Sequence, residues 1–458
     1  MVTTAWMLAA FISTLIGLAQ YFSLAQALGF LTNQPQAGEA YANLRQRNQF
    51  ATLTNIGLLS LLWRSGTDAL RAQMPLVAGL PCRWPTHLVY VMAAILLAAG
   101  NAASSSRTGL LQLAFLCTAA WICGGWKLAG IRHSLLAALV GYAAATLLLP
   151  WFAGLDPTMH GTLARIRSDD AACSSRITLW SNVLHLIAQK PWLGWGWGEL
   201  DYAHYITLYD GSRFCDILDN AHNLPLHIAV ELGIPAAVLF CGGIFYWVWR
   251  CRPWSERDPD RQLAWGVLAL ILLHSLVEYP LWYGPFQMAV LLCLLILWRT
   301  GKTAKTPKHQ PNTPLVPMIR TLVAIILGAF CVYAAWDYHR ISQIYLPPQS
   351  RDTAYQTDTL GKNKNSWLFS NQVVFAELMV TPLTRENAQW TFDTAQALLH
   401  FSPEPRVIEK VIESAVMLQR DDEALRHLAR YKAAFAADYR RWTADNAKPL
   451  PTLPVRPE

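Results

Sequence analysis

His222 and Asn223 stand in the stretch Asp219-Asn220-Ala221-His222-Asn223-Leu224-Pro225-Leu226, where a long polar segment gives way to an apolar helix. An imidazole at such a boundary titrates near neutral pH and can take a proton from a hydroxyl. The plain alternative is a helix start, with Asn220 as the N-cap and a histidine at a wet edge. Arginines supply the second chemistry. One polar connection ends Asn43-Leu44-Arg45-Gln46-Arg47-Asn48-Gln49, and another reads Ser104-Ser105-Ser106-Arg107-Thr108-Gly109. A third arginine, Arg176, opens an amphipathic helix that runs to about Gln189. Guanidinium forks among amide and hydroxyl donors suit an anionic ligand. Taken singly, each could also snorkel to a lipid headgroup. Val277-Glu278-Tyr279-Pro280-Leu281-Trp282-Tyr283-Gly284 sets a carboxylate beside three aromatics, a candidate partner for His222 or an arginine. Trp192-Leu193-Gly194-Trp195-Gly196-Trp197-Gly198 predicts a tight, aromatic-faced turn lying on an interface or a sugar.

The elements that must position these residues are membrane helices. The chain has 458 residues, 53% hydrophobic and only 15% charged, with 20 Trp, where a soluble protein would carry about 25% charge. Its apolar residues come in blocks long enough to span a bilayer. Hydropathy gives about nine spans, near 6–30, 50–63, 86–104, 108–125, 134–153, 223–249, 263–278, 285–298 and 317–336. The first is read as a retained span rather than a cleaved leader. The segment from His222 to Trp249 is too long for one straight crossing, so a kink or a short surface helix is expected before it. The basic residues Arg64, Arg71 and Arg83, Lys127 and Arg132, Arg250, Arg252, Arg257 and Arg261, and Arg299, Lys302, Lys305 and Lys308 fall in alternate loops. The positive-inside rule makes those loops cytoplasmic, with the N-terminus inside and the C-terminus outside. The net charge of +7 therefore reflects loop orientation, and no nucleic-acid partner is implied.

A Pro-, Lys- and Thr-rich stretch, 301–316, reads as a solvated linker. The division expected is a membrane core over 1–337, including an outer loop at 154–222, then a helical domain over 338–447 and a disordered tail over 448–458. Helical patterns near 385–400, 404–419 and 421–439 resemble tetratricopeptide-like pairs, without a clean period. The nine cysteines show no metal-ligand spacing. Cys173 and Cys215 lie in the long outer loop and are expected to pair, since an oxidising compartment favours disulfides. The chain-entropy argument gives such a bridge roughly 3–4 kcal/mol of restraint.

With these residues assembled, the chain resembles the bacterial O-oligosaccharyltransferases, the protein-glycosylating branch of the O-antigen ligase and polymerase superfamily. The stretches that carry the resemblance are Arg45 to Gln49, Ser106 to Gly109, Arg176 to Trp180, Pro191 to Gly198, His222-Asn223 and Glu278 to Tyr283. The chain departs from the family at its start, where the family has several more spans ahead of the Arg-Gln stretch. The resemblance implies a multi-pass protein of the bacterial inner membrane, all-α, with its site facing the periplasm. It implies en bloc transfer of a glycan from undecaprenyl pyrophosphate to a Ser or Thr hydroxyl of a periplasmic protein such as a pilin, without a metal or other cofactor. Arg45, Arg107 and Arg176 then face the pyrophosphate, His222 is the base, and Asn223 and Glu278 orient it or bind sugar hydroxyls. Gln46, Asn48, Trp195 and Tyr279 complete the substrate-binding set. A cationic clamp on one side and a base on the other predicts inversion at the anomeric carbon. Two alternatives share the membrane core, a ligase to lipid A core and an O-antigen polymerase; the domain after 338 argues for a protein acceptor. A transporter would carry polar residues near the midplane, a depth open here only to Glu231 and His274, while the functional-looking residues crowd the outer surface; a non-catalytic assembly scaffold is the remaining rival.

Overall fold

The computed structural model describes residues 2–71, 84–156, 159–162, 165, 173–303 and 315–446. Arg83, Lys305, Lys308, most of the 301–316 linker and the 448–458 tail lie outside the described residues. The described chain is helical throughout, with no strand among those residues. In order the helices are α1 (Val2–Tyr21), α2 (Arg47–Arg71), α3 (Trp84–Ala103), α4 (Arg107–Ile122), α5 (Ala129–Phe152), α6 (Arg176–Gln189), α7 (Leu200–Ile206), α8 (Leu224–Leu232), α9 (Ile234–Cys251), α10 (Pro259–Ser275), α11 (Gly284–Thr303), α12 (Leu315–Ser342), α13 (Ser370–Val380), α14 (Ala388–Leu398), α15 (Pro405–Met417), α16 (Asp421–Ala434) and α17 (Ala436–Asn446).

Local chemistry sets the ends of these helices. Ser106 and Ser175 cap α4 and α6, their hydroxyls accepting from the backbone N–H three residues on. Asp258 caps α10, with Pro259 at its first position, where a missing N–H costs nothing. The span expected over 6–30 ends sooner, at Tyr21, and short 3-10 turns follow from Ala25 to Leu31. The span expected over 223–249 is two helices. Gly233, at φ 90°, separates α8 from α9, the break foreseen from its length.

Among the described residues, four segments are long and apolar enough to cross a bilayer: Val2–Tyr21, Ala129–Phe152, Ile234–Ser255 and Thr321–Tyr345. Three shorter apolar helices, His87–Ala103, Arg107–Ile122 and Gly284–Thr300, add to them. This is a multi-pass membrane protein.

The chain groups into two compact units. The first comprises 1–172, 221–228 and 235–306; the second comprises 173–220, 229–234 and 307–458. In the first, α2, α3, α4, α5, α10 and α11 share one apolar core that includes Ile56, Leu97, Leu113, Leu135, Leu270 and Phe286. Gln20 organises the outer connection that follows α1. Its amide donates to Thr32, Asn33 and Ala42 and accepts from Tyr41 and Ala42. In the second unit, α7 and the helices from α13 onward bury Tyr205, Phe392, Val411 and Tyr431 together. Tyr205 reaches His427 of α16 at 2.9 Å.

Candidate functional site

Within the first unit, four segments far apart in sequence meet through one chain of hydrogen bonds. His222 Nδ1 lies 2.7 Å from Glu278 Oε2. Asn48 Nδ2 donates to the other carboxylate oxygen, Oε1, at 3.0 Å. Asn48 Oδ1 accepts from Ser106 Oγ at 2.6 Å, and Ser106 Oγ accepts from Gly109 N at 3.0 Å. Every donor in this chain has an acceptor, so the orientation of the Asn48 amide follows from the network. The carboxylate accepts, so Nδ1 carries the proton. A neutral ring then bears its lone pair on Nε2.

Each side chain is held by the fold around it. His222 sits at φ 49°, a left-handed conformation costly for a residue with a Cβ, immediately before α8. Asn223 is the cap of that helix, correcting the expectation for Asn220: Asn223 Oδ1 accepts from Leu226 N at 3.1 Å. Its Nδ2 donates to the Leu276 carbonyl at 2.9 Å, tying the start of α8 to the end of α10. Asn220 is instead buried. Glu278 is 4% exposed, at a turn whose N–H groups close on the His274 carbonyl. Burying a carboxylate costs several kcal/mol unless it is hydrogen-bonded, and two partners here accept that task. Tyr279 stands edge-on to the His222 ring, with centroids 4.8 Å apart. His227 and Trp282 make a similar contact one turn further along α8.

The expected ligand-binding residues of the first outer connections divide in two. Gln46 caps α2, its Oε1 accepting from Gln49 N at 2.7 Å, and Asn48 spends both amide atoms inside the network. Arg45, left-handed at φ 56°, and Arg107, at the first turn of α4, are exposed. Arg47 pairs with Glu39. A helix N-terminus with an exposed arginine is a favourable place for an anion. Sequence reasoning took Ser106 only as one donor of its stretch, and missed Arg165. Ser106 had a readable signal, a Ser three residues ahead of Gly109 where an apolar run begins. Arg165, whose Nη1 donates to the Ser105 carbonyl at 3.1 Å, had none.

The second unit holds Arg176 and Trp195. Arg176 begins α6, three residues after Cys173, and Cys173 is bridged to Cys215 with 5.2 Å between their Cα atoms. The expected disulfide is present. Asn182 reinforces it, accepting from Phe214 N at 2.8 Å and donating to Ser212 O at 3.0 Å. The Gly-Trp stretch is not a free aromatic platform. Trp195 N and Gly196 N donate to the carbonyls of Val230 and Glu231, and Ile234 N donates to Pro191 O. The Trp195 indole donates to Leu186 O at 3.0 Å, and Lys190 Nζ covers its ring at 4.0 Å. Trp192, Leu193 and Trp197 are the exposed members. Burial pushes the carboxyl of Asp201 up to about 7. Burial, aided by Arg213, takes His204 down to about 3, so that ring stays neutral and structural.

An apolar cavity of about 600 Å³ opens in the first unit between Leu59, Trp63, Phe115, Ile131, Trp265 and Leu268, and none of the candidate site residues lines it. Among the described residues no group of three His, Cys, Asp or Glu side chains is placed to hold a metal ion.

Three family models match the chain in succession. Residues 40–64 match a protein glycosylation ligase, residues 92–241 an O-antigen ligase, and residues 262–449 the C-terminal part of a virulence factor membrane-bound polymerase. Two curated proteins of Acinetobacter baylyi (strain ATCC 33305 / BD413 / ADP1) are similar. A general O-oligosaccharyltransferase is 25% identical over 288 residues, covering 61% of this chain and 47% of the relative. A ComP-specific O-oligosaccharyltransferase is 24% identical over 282 residues, with the same coverage of 61% and 47%. The chain thus spans about half the length of the curated relatives it matches. No solved structure matches it.

Proposed function

From its place in the O-antigen ligase superfamily, as an O-oligosaccharyltransferase-like chain, we propose that this protein transfers an oligosaccharide en bloc from undecaprenyl pyrophosphate to a Ser or Thr hydroxyl of a periplasmic protein such as a pilin. The observation that carries the reading is the His222–Glu278 pair, buttressed by Asn48 and Ser106. With Nδ1–H given to Glu278, Nε2 accepts the proton of the acceptor hydroxyl as its oxygen attacks the anomeric carbon. The new carbon–oxygen bond forms as the bond to the pyrophosphate breaks, and the electron pair leaves on the phosphate oxygen with inversion at carbon. Glu278 stabilises the imidazolium formed in that step, and Arg45, Arg107 and Arg176 meet the charge developing on the leaving group.

The arrangement we propose around this chemistry is an inner-membrane bundle of about nine spans, with its N-terminus inside and its site on the periplasmic side. In it, 1–337 form the membrane core, and 338–447 form a tetratricopeptide-like periplasmic domain that receives the acceptor. The ligase and polymerase matches favour a second reading, in which the acceptor is lipid A core or a growing O-antigen chain.

One experiment separates them. The chain is co-expressed with a lipid-linked glycan pathway and a pilin, and products are identified by mass. Glycan on the pilin supports protein transfer, whereas glycan only on lipid A core, or only lengthened glycan, overturns it. Lysine variants of Arg45, Arg107 and Arg176 should keep partial activity, since charge survives while the bidentate fork is lost, and alanine variants should keep very little. Full activity in all three alanine variants removes the clamp.

A further inference from the structure

Beneath the site, α2, α4 and α10 are joined by a second set of polar contacts inside the apolar core. Gln112 of α4 is its centre. Gln112 Nε2 donates to the Leu270 carbonyl of α10 at 3.0 Å, which fixes its amide orientation. Gln112 Oε1 therefore accepts, from Asn55 Nδ2 at 3.2 Å and from Thr52 Oγ1 at 3.1 Å. Thr52 has one proton and spends it on Gln112. It must then accept from His274, whose Nδ1 lies 2.8 Å away. His274 is thereby held as the Nδ1–H tautomer, wholly buried, and its Nε2 has no hydrogen-bond partner among the described residues.

The spacing relates this set to the site. Asn48 and Thr52 are four residues apart on α2; His274 lies in the last turn of α10 and Glu278 four residues on, in the turn that follows the helix. Positions i and i+4 lie on one face of a helix. Two rungs thus join α2 to α10 one turn apart, Thr52–His274 below and Asn48–Glu278 above. The His274 carbonyl also accepts from Glu278 N at 2.9 Å, so the lower rung and the carboxylate share a backbone anchor. A buried orphan acceptor is destabilising, and an apolar residue at 274 would avoid that cost at the expense of the rung. We propose, resting on the transfer reading above, that His274 is a positioning residue. Clamped by Thr52 and Gln112, it sets the height and rotation of the Glu278 turn and so the pairing of Glu278 with His222.

The test compares Thr52→Val and His274→Phe, which remove the rung while filling its volume, with Thr52→Ser and His274→Asn, which keep a donor or acceptor at the same atom. Transfer kinetics are measured with purified full chain and lipid-linked donor. The first two variants should lose about 10- to 100-fold in kcat, the usual scale for partners that orient a site. KM for the donor should hold, and the conservative pair should stay close to wild type. In a Glu278→Gln background the Thr52→Val loss should shrink, because residues acting through one another are not additive. Two results overturn the proposal: kcat unchanged in Thr52→Val, or losses that follow melting temperature equally in all four variants. The downfield Nδ1 proton resonance of His222, read by NMR on histidine-labelled protein, needs no transfer. If wild type transfers nothing, the functional reading fails while this signal still decides the rung: its loss in Thr52→Val and retention in Thr52→Ser supports positioning, and an unchanged signal refutes it.

Discussion

In the transfer reaction proposed above, a histidine paired with a buried carboxylate divides the labour of proton transfer between two residues, and the burial of each supports one assignment of roles. Glu278 has both oxygens engaged, by His222 and by Asn48, and is 4% exposed. His222 side-chain exposure is 18%, so the imidazole is the partner that a hydroxyl can approach. Removing the ring should abolish transfer, whereas neutralising its orienter should only slow it. His222→Ala is expected to give no detectable product with normal membrane insertion. Glu278→Gln is expected to retain activity at about one-tenth to one-hundredth of wild type, the range typical of an orienting partner. Initial rates at matched expression check both. Complete loss in Glu278→Gln together with surviving activity in His222→Ala would reverse the two roles. At this scale the types of the participants were legible: His222 and Glu278 each stood at a boundary between polar and apolar chain. The bond between them was legible only as one of two options, Glu278 with His222 or with an arginine, because 56 residues separate the pair in sequence and only packing decides which boundary meets which.

Among the elements, what the sequence revealed depended on whether a residue's job was local. Caps such as Ser106, Ser175 and Asp258 act within one turn, and the break at Gly233 follows from helix length. The Gly-Trp stretch was legible as a tight turn, but the main chain that its glycines pack against was not. Gly194, at φ 69°, lies so close to Glu231 that an added Cβ would sit 2.3 Å from that backbone. Gly233, at φ 90°, would place one 2.1 Å from the Trp192 carbonyl. The two glycines let the loop hydrogen-bond against the end of α8, and no side chain elsewhere can substitute for that approach. Gly233→Ala combines backbone strain with a clash against main chain, so it should cost about 2 kcal/mol or more. Hydrogen exchange over 191–198 and 229–234, compared with wild type at the same pH, should quicken in both segments together. Unchanged protection in either segment would mean that the contact is dispensable. The rungs between α2 and α10 were also invisible in the sequence. Thr52, Asn55, Gln112 and His274 carry no local signal of pairing, and each finds its partner on another helix.

For the whole molecule, burial explains why hydropathy and helix length count spans differently. The window in Ile234–Ser255 has no buried residues and that in Thr321–Tyr345 only 6%, so their apolar side chains face outward, where a bilayer would take them. Helices α2 and α10 line the core of the first unit and hold the polar rungs, which lowers their hydropathy below that of a lipid-facing helix. The orientation proposed for the chain has a second, chemical argument in its disulfide. A disulfide between Cys173 and Cys215 persists only in an oxidising compartment, whereas the positive-inside rule sends Lys127, Arg132, Arg250 and Arg261 to the cytoplasm. The periplasmic placing proposed for 173–215 rests on both arguments, and one experiment tests the bridge and the orientation together. In a chain whose other cysteines are replaced, a membrane-impermeant maleimide applied to spheroplasts should label nothing at first. After an impermeant reductant it should label both sites. Labelling without reductant overturns the bridge. Labelling that appears only once the membrane is permeabilised overturns the orientation, and with it the periplasmic placing of Arg176.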